Sequence, residues 1–247
     1  FAPDLPPGLF ADVVLSHAAT AQLVGDPRIA HVSFTGSVDG GHEIYRAVAK
    51  NRFIDVGLEL GGKDPAYIAA DADLDFAVPN IIEGALYNSG QSCCAVERVY
   101  VHASVYRDVI ERARLALDAW VPNDPRLDTT TMGPLASRQA LAFLEGQVKD
   151  AVRAGAKLLA GGAPVKDARA NFFPATLLTD VPNNTSVMQQ ESFGPIVPLA
   201  SVSDDAEAIA RMNDSALGLT ASVWTRDHER AERMAAQLDA GTIFQNR

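Results

Sequence analysis

Cysteine is scarce in this chain: two residues in 247, Cys93 and Cys94, and they are adjacent. Neighbouring thiols cannot staple distant segments, which excludes a disulfide scaffold and makes a reducing cytoplasm the default compartment. Positive charge is short as well. Lys and Arg number 21 against 31 Asp and Glu, a formal balance of −10, and a phosphate backbone needs clustered cations, so nucleic acid is excluded as a partner. The five histidines are dispersed, and none stands at ligand spacing to a cysteine or carboxylate, so no metal site is expected. Nothing approaches the ~18 apolar residues of a membrane span, and no signal peptide opens the chain. What is present is 47 % hydrophobic residues, ample for the core of one large domain or two modest ones. The first residue is Phe1, and Arg247 follows directly on a strand-like Gly241-Thr242-Ile243-Phe244-Gln245-Asn246. The sequence therefore reads as a piece of something longer.

Strand and helix signals alternate. Residues 30–34 read as a strand running into a glycine-rich turn, Thr35 to Gly41, and 42–51 carry helical spacing through Ile44, Ala47 and Val48. Residues 53–60 form a second strand candidate closed by Gly61-Gly62. This strand–turn–helix–strand order predicts a βαβ unit with parallel strands. Further along, helices are expected at 74–87 (with Pro79 in the first turn or at a kink), 105–120, 204–213, and from an N-cap at Ser137 to near Gly155. Strands are expected at 99–101, 157–159, 172–178, 196–202 and 219–224, with a polar loop at 123–134. Asp227 should cap a last helix stopped at Gly241 by a left-handed glycine. The fold class is α/β.

Four stretches carry chemistry. Gly36-Ser37-Val38-Asp39-Gly40-Gly41 lies between strand and helix, where main-chain N–H groups can receive a phosphate; an ordinary strand–helix turn explains it equally well. Gly57-Leu58-Glu59-Leu60-Gly61-Gly62-Lys63-Asp64 matches G-x-x-x-x-G-K but offers Asp64 where Ser or Thr should hold magnesium, so a triphosphate loop is rejected. Glu59, near a strand's carboxyl end, is either a solvated strand acid or a partly desolvated general base. Cys93 follows Gly90-Gln91; a free cysteine is usually a buried small hydrophobe, whereas a nucleophilic one needs a base or a helix dipole. No histidine is close in sequence, which leaves Glu59 as the economical base. Cys94 is expected to pack. In Gln190-Glu191-Ser192-Phe193-Gly194-Pro195, Glu191 is either a loop acid or an acceptor for ribose hydroxyls, and Phe193 a core anchor.

Taken in order, Phe34-Thr35-Gly36-Ser37 with Gly41, Leu58-Glu59-Leu60-Gly61-Gly62-Lys63, Gly90-Gln91-Ser92-Cys93, Glu191-Ser192-Phe193-Gly194-Pro195 and the late strand Gly241–Asn246 resemble the motifs of the aldehyde dehydrogenase superfamily. Each is weak alone; five in order are specific. The resemblance implies that residues 1–61 end a Rossmann-like cofactor domain and that 62–247 form most of an α/β catalytic domain. It implies Cys93 as nucleophile and Glu59 as general base. It places Gly36 and Ser37 beside the cofactor pyrophosphate, Leu60 in the cofactor site, Glu191 on the nicotinamide ribose and Phe193 near the ring. The cofactor would be NAD or NADP, the substrate a small aldehyde, and the parent a homo-oligomer, dimer or tetramer. The family's oxyanion-hole asparagine and adenosine-ribose lysine would precede Phe1, and the first acid of its usual Glu-Glu pair is Gln190 here. By the same resemblance, the thiolate of Cys93 adds to the aldehyde and a thioester forms after hydride transfer. Glu59 then activates the water that releases the acid. Acyl transfer to coenzyme A and a non-catalytic scaffold are the alternatives, and the isolated piece is expected to be inactive.

Overall fold

Four apolar side chains, Val24, Val32, Ile44 and Val48, form the buried centre of the first of two compact units, Phe1–Leu60 and Gly61–Arg247. The computed structural model describes residues 6, 8–165 and 171–247. In the first unit a short helix α1 (His17–Val24) precedes strand β1 (Val32–Gly36), helix α2 (Val38–Ala49) and strand β2 (Val56–Leu60). β1 and β2 pair in parallel, as expected of a βαβ unit. The helix begins earlier than its apolar spacing suggests. The Ser37 hydroxyl accepts the Gly40 N–H at 3.1 Å, a side-chain cap that satisfies one of the free donors of the first turn. Gly40 and Gly41 thus belong to the helix, not to a turn. Glycine inside a helix costs ~1 kcal/mol, and close packing is the offset. A Cβ on Gly40 would stand 2.8 Å from the Phe34 ring, and one on Gly41 would stand 2.8 Å from the Leu60 side chain.

The second unit is built on a seven-stranded sheet. In chain order it comprises β3 (Asp64–Ile68), α3 (Leu74–Leu86), β4 (Val96–His102), α4 (Tyr106–Leu117), α5 (Arg138–Arg153), β5 (Lys157–Ala160), β6 (Thr176–Thr179), α6 (Ser186–Gln189), β7 (Ile196–Val202), α7 (Asp205–Asn213), β8 (Thr220–Trp224), α8 (His228–Ala235) and β9 (Thr242–Gln245). The strand order is β5-β6-β7-β4-β3-β8-β9; β5 runs antiparallel to β6 and every other pairing is parallel. Helices cover both faces. Ile81, Ile82 and Leu86 of α3 and Val109 and Ala113 of α4 pack with Ile68, Val99 and Val101. On the other face Leu144 and Val148 of α5, Ala208 and Met212 of α7 and Met234 of α8 pack with Tyr67 and Tyr100. Burial on both faces erases alternation. That is why β3, buried at every residue, gives no period-two signal in the sequence.

Several boundaries differ from expectation. Pro79 is the sixth residue of α3, beyond the first turn, and the helix continues through it. The strand expected at 172–178 starts only at Thr176, after Pro174. α8 stops at Ala235, and Gly241 is not left-handed; it lies before β9, its N–H bonded to the Leu219 carbonyl at 3.0 Å. Gly155, at φ 109°, does follow α5 in the left-handed region. No helix among the described residues is long and apolar enough to cross a membrane.

Candidate functional site

The first unit gathers its nominated residues at one end. Parallel register sets Thr35 opposite Glu59 and Gly36 opposite Leu60, so Gly36, Ser37, Glu59 and Leu60 all sit at the carboxyl ends of the two strands. Ligands of open α/β sheets collect there. The α2 N-terminus adds main-chain donors suited to an anion. A Cβ on Gly36 would meet the Phe34 ring at 2.6 Å, so the turn into the helix lies as close as glycine permits. Glu59 is exposed within this chain, not the half-desolvated carboxylate that one reading of its strand context suggests.

In the second unit three stretches separate in sequence meet at the amino ends of parallel strands: Gly61–Lys63 before β3, Gln91–Cys94 before β4 and Glu191–Pro195 before β7. This is the opposite end from the usual rule for open sheets. The segment leading to Cys93 is tightly turned. Asn88 (φ 50°), Ser89 (φ 59°) and Gly90 (φ 72°) are successively left-handed, a conformation that costs a non-glycine residue ~1–2 kcal/mol. Hydrogen bonds hold it: Ser89 Oγ donates to the Gly133 carbonyl at 2.9 Å, and Gln91 Oε1 accepts the Ala136 N–H at 2.8 Å. A Cβ on Gly90 would lie 2.3 Å from the Gly194 carbonyl oxygen, so glycine is required where the Cys93 loop presses on the Glu191 loop.

Both thiols are exposed. Cys94 therefore does not pack; its Sγ lies 3.3 Å from Ser92 Oγ. Local burial, then the adjacent Cys94 thiol, raise Cys93 above the ordinary thiol value, and the Asp64 charge adds to this. As it stands, Cys93 is mostly protonated at neutral pH and needs a base to attack.

Behind these loops lies a buried charged cluster. Lys63, fully buried, donates to Glu97 Oε2 at 2.5 Å and Ser192 Oγ at 2.9 Å. Glu97 also accepts the N–H of Ser192 at 2.7 Å and of Phe193 at 2.8 Å. One carboxylate on β4 therefore fixes the main chain on which Glu191 and Phe193 ride. The Lys63 ammonium is thus engaged and Gly57 lies within β2, in keeping with rejection of a triphosphate loop. Arg98 donates to the Lys63 carbonyl at 2.8 Å and the Met212 carbonyl at 2.8 Å. Glu191 lies over Gly61, where a Cβ would stand 2.1 Å from its Oε1. Its carboxylate accepts the Gly62 N–H, yet burial, then the Glu97 charge, push it up to about 6. Glu191 Oε1 is buried without a partner.

Glu191 and Phe193 border a cavity of about 320 Å³, lined also by Gln91, Ser137, Ala140 and Phe143. Phe193 is left-handed (φ 49°) and 43 % exposed, so it is a cavity wall, not the core anchor that its apolar character suggests. A half-buried carboxylate and an exposed aromatic ring on one cavity wall fit a ribose diol and a flat heterocycle. The residues present therefore suit the nicotinamide half of a dinucleotide. Lys63, Asp64, Glu97 and Arg98 lie behind these loops; the sequence offers Lys63 and Asp64 only as parts of a glycine pattern and does not point to Glu97 or Arg98. Their signal was available: pairs of charged residues between Gly62 and Pro65, and between Val96 and Val99, at the start of apolar runs.

The model of the Aldehyde dehydrogenase family matches residues 2–247. A probable succinate-semialdehyde dehydrogenase [NADP(+)] of Synechocystis sp. is 38 % identical over 98 % of this chain and 53 % of its own length. Lactaldehyde dehydrogenase of Escherichia coli is 39 % identical over 98 % of this chain and 51 % of its own length. A crystal structure of that enzyme superposes with a TM-score of 0.89, covering 92 % of this chain and 47 % of the other. A 3,6-anhydro-L-galactose dehydrogenase in complex with NAP gives a TM-score of 0.88 at 36 % identity, covering 92 % and 48 %. The chain spans about half the length of the curated relatives it matches.

Proposed function

The chain belongs to the aldehyde dehydrogenase family, and from that premise we propose that the protein carrying it oxidises a small aldehyde to a carboxylic acid with NAD or NADP. The carrying observation is the convergence on Gly61-Gly62. The Glu191 carboxylate lies against Gly61, and the Cys93 carbonyl oxygen stands 2.8 Å from a Cβ on Gly62. The Cys93 main chain and the Glu191 carboxylate thus both close on one Gly-Gly dipeptide.

In this reading the Phe1–Leu60 unit ends a Rossmann-like cofactor domain and the Gly61–Arg247 unit is the catalytic domain. Gly36 and Ser37, at the N-terminus of α2, hold the pyrophosphate, and Leu60 lies beside it. Glu191 takes the nicotinamide-ribose hydroxyls, and Phe193 flanks the ring. When bound, the nicotinamide supplies the hydride acceptor. Glu59, through a water, removes the Cys93 proton, which the raised thiol would otherwise keep. The thiolate adds to the aldehyde carbonyl, with the Cys93 main-chain N–H as one donor to the oxyanion; such a donor is worth ~3–4 kcal/mol of transition-state stabilisation. After hydride loss the acyl group remains on Cys93 as a thioester. Glu59 then takes a proton from the hydrolytic water, so one carboxylate serves both half-reactions.

Cys93→Ala in the full-length protein tests this. Aldehyde-dependent formation of reduced nicotinamide should fall by at least ~10³-fold; near-normal turnover would refute the assignment. Cys94→Ala should be mild by comparison. Because the chain spans about half the length of its relatives, the chain by itself is expected to turn over little.

A further inference from the structure

We propose that Asp64 is a positioning residue for Cys93: its carboxylate, set behind Gly62 beside the Cys93 main chain, is an electrostatic brake on the thiolate that is released when the carboxylate takes a proton. Asp64 opens β3 and is 2 % exposed. Its Oδ2 accepts the Thr220 N–H at 3.0 Å and the Thr220 hydroxyl at 2.6 Å. Its Oδ1 is buried with no partner. That oxygen is aimed at Gly62. A Cβ there would stand 2.5 Å from Asp64 Oδ1 and 2.8 Å from the Cys93 carbonyl oxygen, so the orphaned oxygen and the nucleophile's backbone crowd one point. Ionised, Oδ1 brings a negative charge close to the Cys93 main chain. Protonated, it carries a hydrogen to give and no charge.

The surroundings leave this charge unneutralised. Two more carboxylates face the cluster, Glu97 from β4 and Glu191 from the loop before β7. Two cations are near, and both are turned elsewhere: Lys63 to Glu97 and Ser192, Arg98 to the carbonyls of Lys63 and Met212. From β8 and the residue before it only the neutral Thr220 and the Leu219 N–H reach Asp64, and on the nucleophile loop the groups are Cys93 and Cys94. Burial therefore pushes Asp64 up to about 6, with Glu97 adding to the effect and the Thr220 hydrogen bonds opposing it. The Asp64 charge is in turn one of the causes that raise Cys93. Coupling between two titrating groups is mutual, so the thiolate should form more easily once Asp64 is neutral.

The test is the rate of Cys93 alkylation by iodoacetamide, followed by peptide mass spectrometry in a Cys94→Ser background between about pH 5 and about pH 9. Alkylation forms a thioether and releases iodide, and it requires the thiolate. Asp64→Asn should react about threefold faster than the parent near pH 8, which is half a pKa unit of thiol, and the two rates should converge near pH 5. Thr220→Val removes a hydrogen bond that favours the ionised form, and should move the convergence to higher pH. Equal rates throughout would overturn the proposal. So would an offset that is the same at every pH, since that marks a packing change. If Asp64→Asn fails to fold, an unmoved profile in Thr220→Val is equally decisive against it. The inference rests on the nucleophile reading only for its catalytic meaning. A pH-independent alkylation ratio with Cys93→Ala inactive sinks the role of Asp64 alone; the predicted ratio with Cys93→Ala active sinks the nucleophile reading alone.

Discussion

Glu97→Gln probes the buried pair that holds the Glu191 loop. In the native chain the Lys63 ammonium is wholly shielded and has two partners, Glu97 at 2.5 Å and Ser192 Oγ at 2.9 Å. Burial pulls Lys63 below the ordinary lysine range although Glu97 pulls it back, so the charge is only just compensated. Exchanging the carboxylate for an amide removes the one carboxylate in direct contact with that ammonium. Breaking a buried pair from one side costs ~3–5 kcal/mol, a large part of a domain's ~5–15 kcal/mol. Lys63→Met is not equivalent. Glu97 keeps the N–H groups of Ser192 and Phe193, and hydrogen bonds to a charged group are worth ~1.5–3 kcal/mol each, while methionine fills the lysine volume. Its cost should be smaller, ~1–3 kcal/mol by the same reasoning. Urea unfolding followed by circular dichroism, on both single variants and the double variant, measures this. The double variant should be destabilised by at least ~2 kcal/mol less than the sum of the singles, as expected for partners in direct contact. If Lys63→Met costs as much as Glu97→Gln, or if the two simply add, the carboxylate is not what organises the loop.

Asp64 and Glu191 both lie up at about 6, so the native state binds protons that the unfolded chain has already lost. Their stabilising contribution is complete below the unfolded carboxylate values near 4 and disappears as pH rises through about 6. Measured as the difference from Asp64→Asn, the parent should lose ~2–3 kcal/mol between about pH 4 and about pH 7; a flat difference would contradict the buried, uncompensated carboxylate. Gly61→Ala would put a methyl 2.1 Å from Glu191 Oε1, the free end of a flexible side chain. The melting temperature should barely move while the dinucleotide dissociation constant of the full-length protein rises about tenfold, the loss of ~1.4 kcal/mol; unchanged binding in a calorimetric titration would count against Glu191 as a ligand. Gly90→Ala meets the Gly194 backbone at 2.3 Å and requires φ 72°, so it should cost at least ~2 kcal/mol, and thermal unfolding within a degree of the parent would show that the loop can relax.

Much of the fold was readable because its signals are local. Ser137 and Asp227 each cap the helix that follows, as expected, since a cap needs only a side chain and an N–H three residues on. The βαβ unit is similarly local, a period of two giving way to one of 3.6. β3 was not legible, because a strand buried on both faces has no polar alternation to show. The end of α8 was misplaced because Gly241 has two uses, helix stop or close packing beside Leu219. Only the position of its neighbours decides between them.

For the site, the chain's order of residues was enough to single out Cys93, Glu191, Phe193, Gly36 and Ser37 by motif, because turns and glycines announce where backbone comes close to something else. Tertiary structure alone decided what surrounds them. Lys63 and Glu97 are 34 residues apart and Lys63 and Ser192 are 129 apart; no local pattern can state such a pairing, since it is the parallel sheet that brings the amino ends of β3, β4 and β7 together. The same holds for Asp64, which as a sequence letter is a defect in a phosphate-loop pattern and in the fold is a buried charge behind a thiol. Charge and burial are properties of an environment, and the environment of a residue here is supplied almost entirely by segments distant along the chain.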